Sequence, residues 1–314
     1  MKTEMADGNG IRVFDRAAVR RHRDRAAPLL PTHDFLIREV ADRLLDRLTD
    51  VNRAFPLALD LGCHSGQLAA RPEGLERIGR LVQADISERL LHGTSGLRVA
   101  ADEEALPFQP GSFDLVLSAL SLHWVNDLPG ALLQIRGALK PDGLFLAAML
   151  GGDTLMELRE ALLLAEMELT GGASPRISPM ADLREAGALL QRAGFALPVA
   201  DSDRLTLTYA EPFSLLRELR GLGEASAGGS RPRGFARRAL FEAAARIYHE
   251  RHAGPDGRIP ATFEVLYLIG WAPHESQQRP LRPGSAAQRL ADALDTEEHS
   301  AGDQADPGRR PRRR

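Results

Sequence analysis

Three short apolar runs in the first third of the chain stop at an aspartate, and this pattern constrains the fold more than any other feature. Residues 57–61 (LALDL) carry Asp60 into the turn Gly62-Cys63-His64-Ser65-Gly66, residues 80–84 lead to Asp85, and residues 97–101 lead to Asp102. Runs this short that stop at a turn read as strands, and the first, 57–61, is apolar enough to be buried, as in a parallel sheet. Residues 113–118 (FDLVLS) and 144–149 read as a fourth and fifth strand, and 128–139 reads as a helix capped by Asp127 with Pro129 in its first turn. Lys140-Pro141-Asp142-Gly143 is a turn by composition. Leu36, Val40, Leu44 and Leu48 recur every fourth residue and predict an amphipathic helix over 34–49. Strands alternating with helices at this spacing make an α/β fold, a Rossmann-like, doubly wound, mostly parallel sheet.

The second half adds helices over 155–169 and 182–192, the latter ended by Gly194, and a strand over 204–209. Residues 212–252 are helical around the Gly/Ser stretch 221–234, and a last strand covers 262–271. Two late strands around a helical insertion (about 212–253) form an antiparallel edge. The expected organisation is a basic arm over 1–33, a ligand-binding domain over 34–279 and a disordered tail over 280–314, acidic first and then almost all arginine. Residues 11–25 hold six arginines and two aspartates. A basic solvated helix is the expectation there, and a helix covering a ligand or partner is the alternative.

Composition narrows the chemistry. At 314 residues, 43% apolar and 26% charged, the chain is globular in character. Cys63 is the single cysteine, which excludes an internal disulfide and a thiolate zinc cluster. The two lysines, Lys2 and Lys140, are not in a Walker A context. A net charge of −3 gives no sign of a nucleic-acid partner. The apolar runs are too short for a membrane span, and no secretory leader is expected.

The acids carry the functional signal. Glycines at 62 and 66 let a ligand approach the backbone, but their spacing is G-x-x-x-G, not the G-x-G-x-x-G of a dinucleotide site. Asp60, before the first glycine, suits a cationic amino group. Asp85, 25 residues on, can accept both hydroxyls of a ribose, and Asp102 falls where an adenine edge would lie. A dehydrogenase would want a further glycine at residue 69, which is alanine.

Together these segments resemble class I S-adenosyl-L-methionine (AdoMet)-dependent methyltransferases. Asp60 to Gly66 is similar to their first motif, Asp85-Ile86-Ser87 to their ribose acid, and Asp102-Glu103-Glu104-Ala105-Leu106-Pro107-Phe108 to their adenine loop. Phe113-Asp114-Leu115-Val116 with His123-Trp124, and Leu139-Lys140-Pro141-Asp142-Gly143, complete the pattern. A closer resemblance, to the mitochondrial complex I assembly factor 5 (arginine hydroxylase) family, runs over nearly the whole chain. It rests on Phe14-Asp15-Arg16, Ser121 to Pro129, Gly151-Gly152-Asp153-Thr154-Leu155, Ile177-Ser178-Pro179, and Ile269-Gly270-Trp271 followed by His274-Glu275-Ser276-Gln277. The malonyl-carrier-protein methyltransferases of biotin synthesis are more distantly similar.

The resemblance implies AdoMet as cofactor, bound by Asp60, Gly62, His64, Gly66, Asp85, Ile86, Asp102 and Glu103, with no metal. His64 replaces a glycine usual in the first motif. Its ring is expected to turn outward, the alternative being contact with the ligand. His123 is the candidate general base, with packing beside Trp124 as the alternative, and Asp127 is a helix cap. Methyl transfer to an acceptor that includes proteins is the first reading. Arginine hydroxylation of a complex I subunit is the second, because His22-Arg23-Asp24 has iron-ligand spacing but no strand context. A non-catalytic AdoMet-bound assembly chaperone, docking through the insertion and the arm, is the third. The expected compartment is the cytoplasm in a bacterium and the mitochondrial matrix in a eukaryote.

Overall fold

The computed structural model describes residues 12–71, 74–172, 174–231, 234, 237–278, 292, 295 and 296. Almost all of the tail for which disorder is expected lies outside the described residues. The described residues up to Glu275 form one compact unit.

Three helices, α1 (Arg16–Ala26), α2 (Leu30–His33) and α3 (Phe35–Thr49), precede β1 (Phe55–Leu61). Then follow β2 (Ile78–Asp85), α4 (Glu88–Leu91), β3 (Leu97–Ala100), β4 (Phe113–Ala119), α5 (Leu128–Ala138) and β5 (Leu139–Leu150). The second half is α6 (Met156–Thr170), α7 (Leu183–Arg192), β6 (Ala196–Tyr209), α8 (Pro212–Leu222), α9 (Arg238–His252) and β7 (Ile259–Trp271). The sheet order is β3-β2-β1-β4-β5-β7-β6. The first five strands are mutually parallel, while β7 runs antiparallel to both β5 and β6. The two late strands thus form the antiparallel edge, with β7 inside and β6 outermost.

Why the central strands lack alternation is visible in their packing. Leu115 and Leu117 of β4 join a core with α3, α6 and α9, while Phe113 and Val116 join the opposite core with α5 and α7. In β5, Leu144, Leu146 and Ala148 face the first core, and Phe145, Ala147 and Met149 the second. Successive side chains point to opposite faces, so a sheet covered by helices on both sides needs apolar residues at every position.

Two expectations change. The 140–143 turn is a bulge inside β5: Phe113 pairs with Leu139, but Leu115 pairs with Leu144. Asp142 takes a φ of +63°, and Lys140 Nζ grips both carboxylate oxygens of Asp114 at 2.9 and 3.0 Å. The strand expected over 204–209 extends back to Ala196, because an outer strand needs only β7's backbone as partner and tolerates polar Asp201, Ser202 and Asp203.

Candidate cofactor and active site

Parallel strands end on one side of the sheet, and the chain order reverses between β1 and β4, which opens a crevice at their carboxyl ends. The first-motif turn lies there. Gly62 has a φ of +72°, and a Cβ on it would lie 2.1 Å from Ser121 Oγ, so only glycine fits against the β4 end. Asp60 is fully buried, and neither carboxylate oxygen has a hydrogen-bond partner. Burial, and then the charge of Asp85, push its pKa up to about 8. Unpartnered buried carboxylates are costly, and a cationic ligand group would relieve this one.

The neighbouring acids are instead fully engaged. Asp85 accepts the backbone N–H of His64 at 3.0 Å and of Ser87 at 2.8 Å. It also pairs with the Arg23 guanidinium at 3.0 Å, and Arg23 reaches Glu103 at 3.3 Å and Ser121 Oγ at 2.8 Å. Glu103 further accepts from Ser121 Oγ and from Arg16. Burial alone would raise the Glu103 pKa, but Arg23 and Arg16 outweigh it and hold the carboxyl down at about 2. Asp102 accepts Arg16 at 2.6 Å and the Glu104 backbone N–H at 2.9 Å. Ile86 is half-buried behind Asp85, and Gly66 has a φ of +88°.

The basic helix is therefore not the solvated one expected. Arg23 is only 1% exposed, because α1 lies over the acids instead of facing water on all sides. The three residues with iron-ligand spacing diverge: the His22 ring meets the Ala225 carbonyl at 3.0 Å, Arg23 enters the acid cluster, and Asp24 accepts from Ser87 Oγ at 2.6 Å.

His64 also differs from expectation. Its ring turns inward and is 1% exposed, with Nε2 at 3.0 Å from the Ala119 carbonyl and Nδ1 buried without a partner. Burial, then the charge of Arg23, lowers its pKa, so the imidazole is neutral and donates from Nε2. A φ of +52° places this non-glycine residue in left-handed backbone. The strain is tolerated because the His64 N–H is tied to Asp85 and the ring to β4. Cys63 is buried, which raises its thiol pKa and keeps it from acting as a nucleophile.

Beyond β4, Leu122–Trp124 form a single tight helical turn. His123 Nδ1 accepts the Leu150 N–H at 3.4 Å, leaving Nε2–H to donate to Glu224 at 3.0 Å. Trp124 Nε1 donates to the same Glu224 oxygen at 2.9 Å. Burial raises the Glu224 pKa, but His123 reverses this and leaves the carboxyl below its ordinary value. Trp124 packs edge-on against Phe14 and tilts over His123, the packing expected as the alternative for this pair. Asp127 accepts the Gly130 N–H at 2.9 Å and is the helix cap expected.

A cavity of about 300 Å³ lies on the far side of Trp124, lined mainly by Leu155, Leu158, Leu162, Ile177, Leu219 and Phe241, with Glu224 in its wall. His123 does not border it. Sequence reasoning missed Glu224, Arg16 and Arg23. Glu224 lies 101 residues from His123 in a Gly/Ser-rich stretch, and nothing local distinguishes it. The arginines stood in a charge run and in two quoted motifs, but neither carried a role at the acids.

With this geometry established, comparison with known proteins is decisive. Residues 59–147 match the methyltransferase domain family. The chain is 47% identical over 283 residues to the human protein "Arginine-hydroxylase NDUFAF5, mitochondrial", covering 88% of this chain and 81% of the relative. The chain belongs to the class I AdoMet-dependent methyltransferase family that includes the NDUFAF5 arginine-hydroxylases. The zebrafish (Danio rerio) NDUFAF5 protein is likewise 47% identical, over 90% of each chain. Malonyl-[acyl-carrier protein] O-methyltransferase from Halorhodospira halophila is 38% identical, over 85% of this chain and 91% of the relative. Among solved structures, the YcgJ protein of Bacillus subtilis shares the fold, with a TM-score of 0.51 at 16% identity over 74% of this chain and 99% of that one. The cofactor of this family member is AdoMet, and the crevice fits it in kind: a buried unpartnered acid for an ammonium, a glycine cradle and a ribose-type acid at the next strand end.

Proposed function

We propose that this enzyme transfers the AdoMet methyl group to an acceptor held in the cavity beside Trp124. The observation that carries the reading is the His123–Glu224–Trp124 node, whose Glu224 and Trp124 line that cavity. Bound AdoMet supplies an electrophilic methyl on a sulfonium. The chain's own residues do the rest: Asp60 neutralises the ammonium, Asp85 accepts the ribose hydroxyls, and the Gly62 and Gly66 turn lets the backbone come close, with His64, Ile86, Asp102 and Glu103 around it. With the cofactor bound, Glu224, the carboxylate of the node that borders the cavity, would take the proton that the acceptor gives up on methylation. His123 orients Glu224 through Nε2–H and shares the charge, and Trp124 walls off water.

His123→Asn and Glu224→Gln each lower product formation by about 100-fold. Affinity for S-adenosylhomocysteine stays within about twofold, because neither residue belongs to the ribose or ammonium sites. Isothermal titration beside a turnover assay checks the split, and equal losses in both would remove the catalytic role.

The second reading is arginine hydroxylation, favoured by kinship and by Glu224 in the cavity wall, a carboxylate that can pair with a substrate guanidinium in competition with Arg176, Arg220 and Arg231, which line the same cavity. The proposed partner is then a complex I subunit, in the matrix of a mitochondrion or the cytoplasm of a bacterium. The third is an assembly chaperone that docks through the insertion and the arm. Product mass separates them. With AdoMet and a candidate subunit, a gain of one methylene supports transfer, a gain of one oxygen supports hydroxylation, and stable binding without mass change supports chaperoning. In each case 34–279 is the proposed cofactor-binding domain, and α1, within the 1–33 arm, lies over its acids.

A further inference from the structure

The acids that the cofactor would use are not waiting in solvent. Arg23 turns both terminal nitrogens of its guanidinium toward them: Nη1 is shared between Asp85 at 3.0 Å and Glu103 at 3.3 Å, and Nη2 donates to Ser121 Oγ, which itself donates to Glu103. Arg16 bridges Asp102, Glu103 and the Trp124 carbonyl, the last at 3.1 Å. Arg16 is the first residue of α1 and Arg23 lies three residues before its last, so the helix is pinned over the crevice toward both ends. Asp24 on Ser87 Oγ and Arg20 on Glu88 extend the seam along α4.

The same helix is stitched to the insertion. Asp15 N–H donates to the Ala227 carbonyl at 2.8 Å, and Gly229 N–H donates to the Val13 carbonyl at 2.7 Å. Asp15 caps α1 at Ala18 and also pairs with Arg231 at 3.1 Å. Gly223, at a φ of +85°, lies against the backbone of Arg23, where an added Cβ would sit 3.5 Å from its Cα. The strand-like pair between Phe14 and Gly228 closes the seam.

We propose, resting on the AdoMet reading above, that α1 is a self-occluding plug: Arg23 is a built-in competitor for the ribose acid Asp85, and the cofactor binds by displacing α1 together with the 225–231 loop that is bonded to it, while Glu224 stays on His123 and Trp124. Two observations carry this. Asp85 cannot accept a pair of ribose hydroxyls while Oδ2 holds Arg23 and the His64 N–H and Oδ1 holds the Ser87 N–H. Asp60, next in the crevice, is left without the cation it needs, so the plug satisfies the ribose acid and not the ammonium acid. A ligand carrying both an ammonium and a ribose can satisfy both, and that difference is the driving force for exchange.

A closed state reduces apparent affinity by the fraction of molecules that are open. Removing the competitor must therefore tighten binding. Arg23→Gln in the full-length chain is expected to bind S-adenosylhomocysteine at least about tenfold more tightly in isothermal titration. In the wild-type chain, hydrogen exchange read by mass spectrometry is expected to speed up over 16–26 and 225–231 when S-adenosylhomocysteine is added. The exchange measurement needs no variant and stands if Arg23→Gln fails to fold. A tenfold loss of affinity in Arg23→Gln would overturn the plug and make Arg23 a cofactor-holding residue. Saturating ligand that leaves exchange over 16–26 unchanged or slower would overturn it as well. No binding to either protein would instead remove the AdoMet reading of the crevice, and the plug with it.

Discussion

Asp85→Ala lowers affinity for S-adenosylhomocysteine by about 100-fold or more, measured by isothermal titration on protein whose melting curve shows it folded. Two hydrogen bonds from ribose hydroxyls to a buried carboxylate are worth roughly 1.5–3 kcal/mol each, and their loss is felt in full in a site closed to water. Asp85 also anchors Arg23, so α1 loosens in this variant. Loosening relieves the competition but cannot restore an acceptor for the ribose, and the net change is a loss. Unchanged affinity would take the ribose role away from Asp85.

The second large effect is on stability and has a pH signature. Asp60 has a folded-state pKa of about 8 against an ordinary value of 3.8, driven by burial and then by Asp85. Between those values the folded chain keeps a proton that the unfolded chain has released. Stability therefore falls as pH rises through that window, at roughly 1.4 kcal/mol per pH unit, with an upper bound on the order of 5 kcal/mol at its end. Asn mimics the protonated acid. Asp60→Asn, assayed with no cofactor added, should melt several degrees higher than wild type near pH 8 and close to wild type near pH 4.5. A wild-type melting temperature flat across this range, or a variant with the same slope, would refute the assignment. Glu103 acts in the opposite sense: with its pKa held at about 2, its contribution is present above the ordinary carboxylate range and is lost as pH falls.

The same substitution tests function, because Asp60→Asn should also weaken the ligand's ammonium contact. A variant that is more stable yet binds worse is the signature of a buried acid kept for a ligand and not for the fold.

Much of this was legible beforehand, and the reasons are specific. The β1 and β2 ends at Asp60 and Asp85 could be read because apolar runs stop abruptly where the backbone leaves the core. Asp127 as a cap and Gly62 as a tight turn follow from local rules that need no tertiary knowledge. The β5 bulge was not legible, because Lys140-Pro141-Asp142-Gly143 has turn composition and only its pairing with β4 and the Asp114 contact keep it in the sheet. Nor was the inward turn of His64: ring direction at a left-handed residue depends on the Ala119 carbonyl, 55 residues away.

The sequence by itself determined the layered α/β sheet, its order of strands and helices, and the acids at the strand ends, since periodicity and turn chemistry act over a few neighbouring residues. Tertiary structure alone decided that Arg16 and Arg23 would cover those acids, that Glu224 would join His123 and Trp124, and that Asp60 would be left without a partner. A charge has no preferred neighbour until folding removes water and brings distant segments to within a hydrogen bond, so the electrostatics of this site belong to the fold.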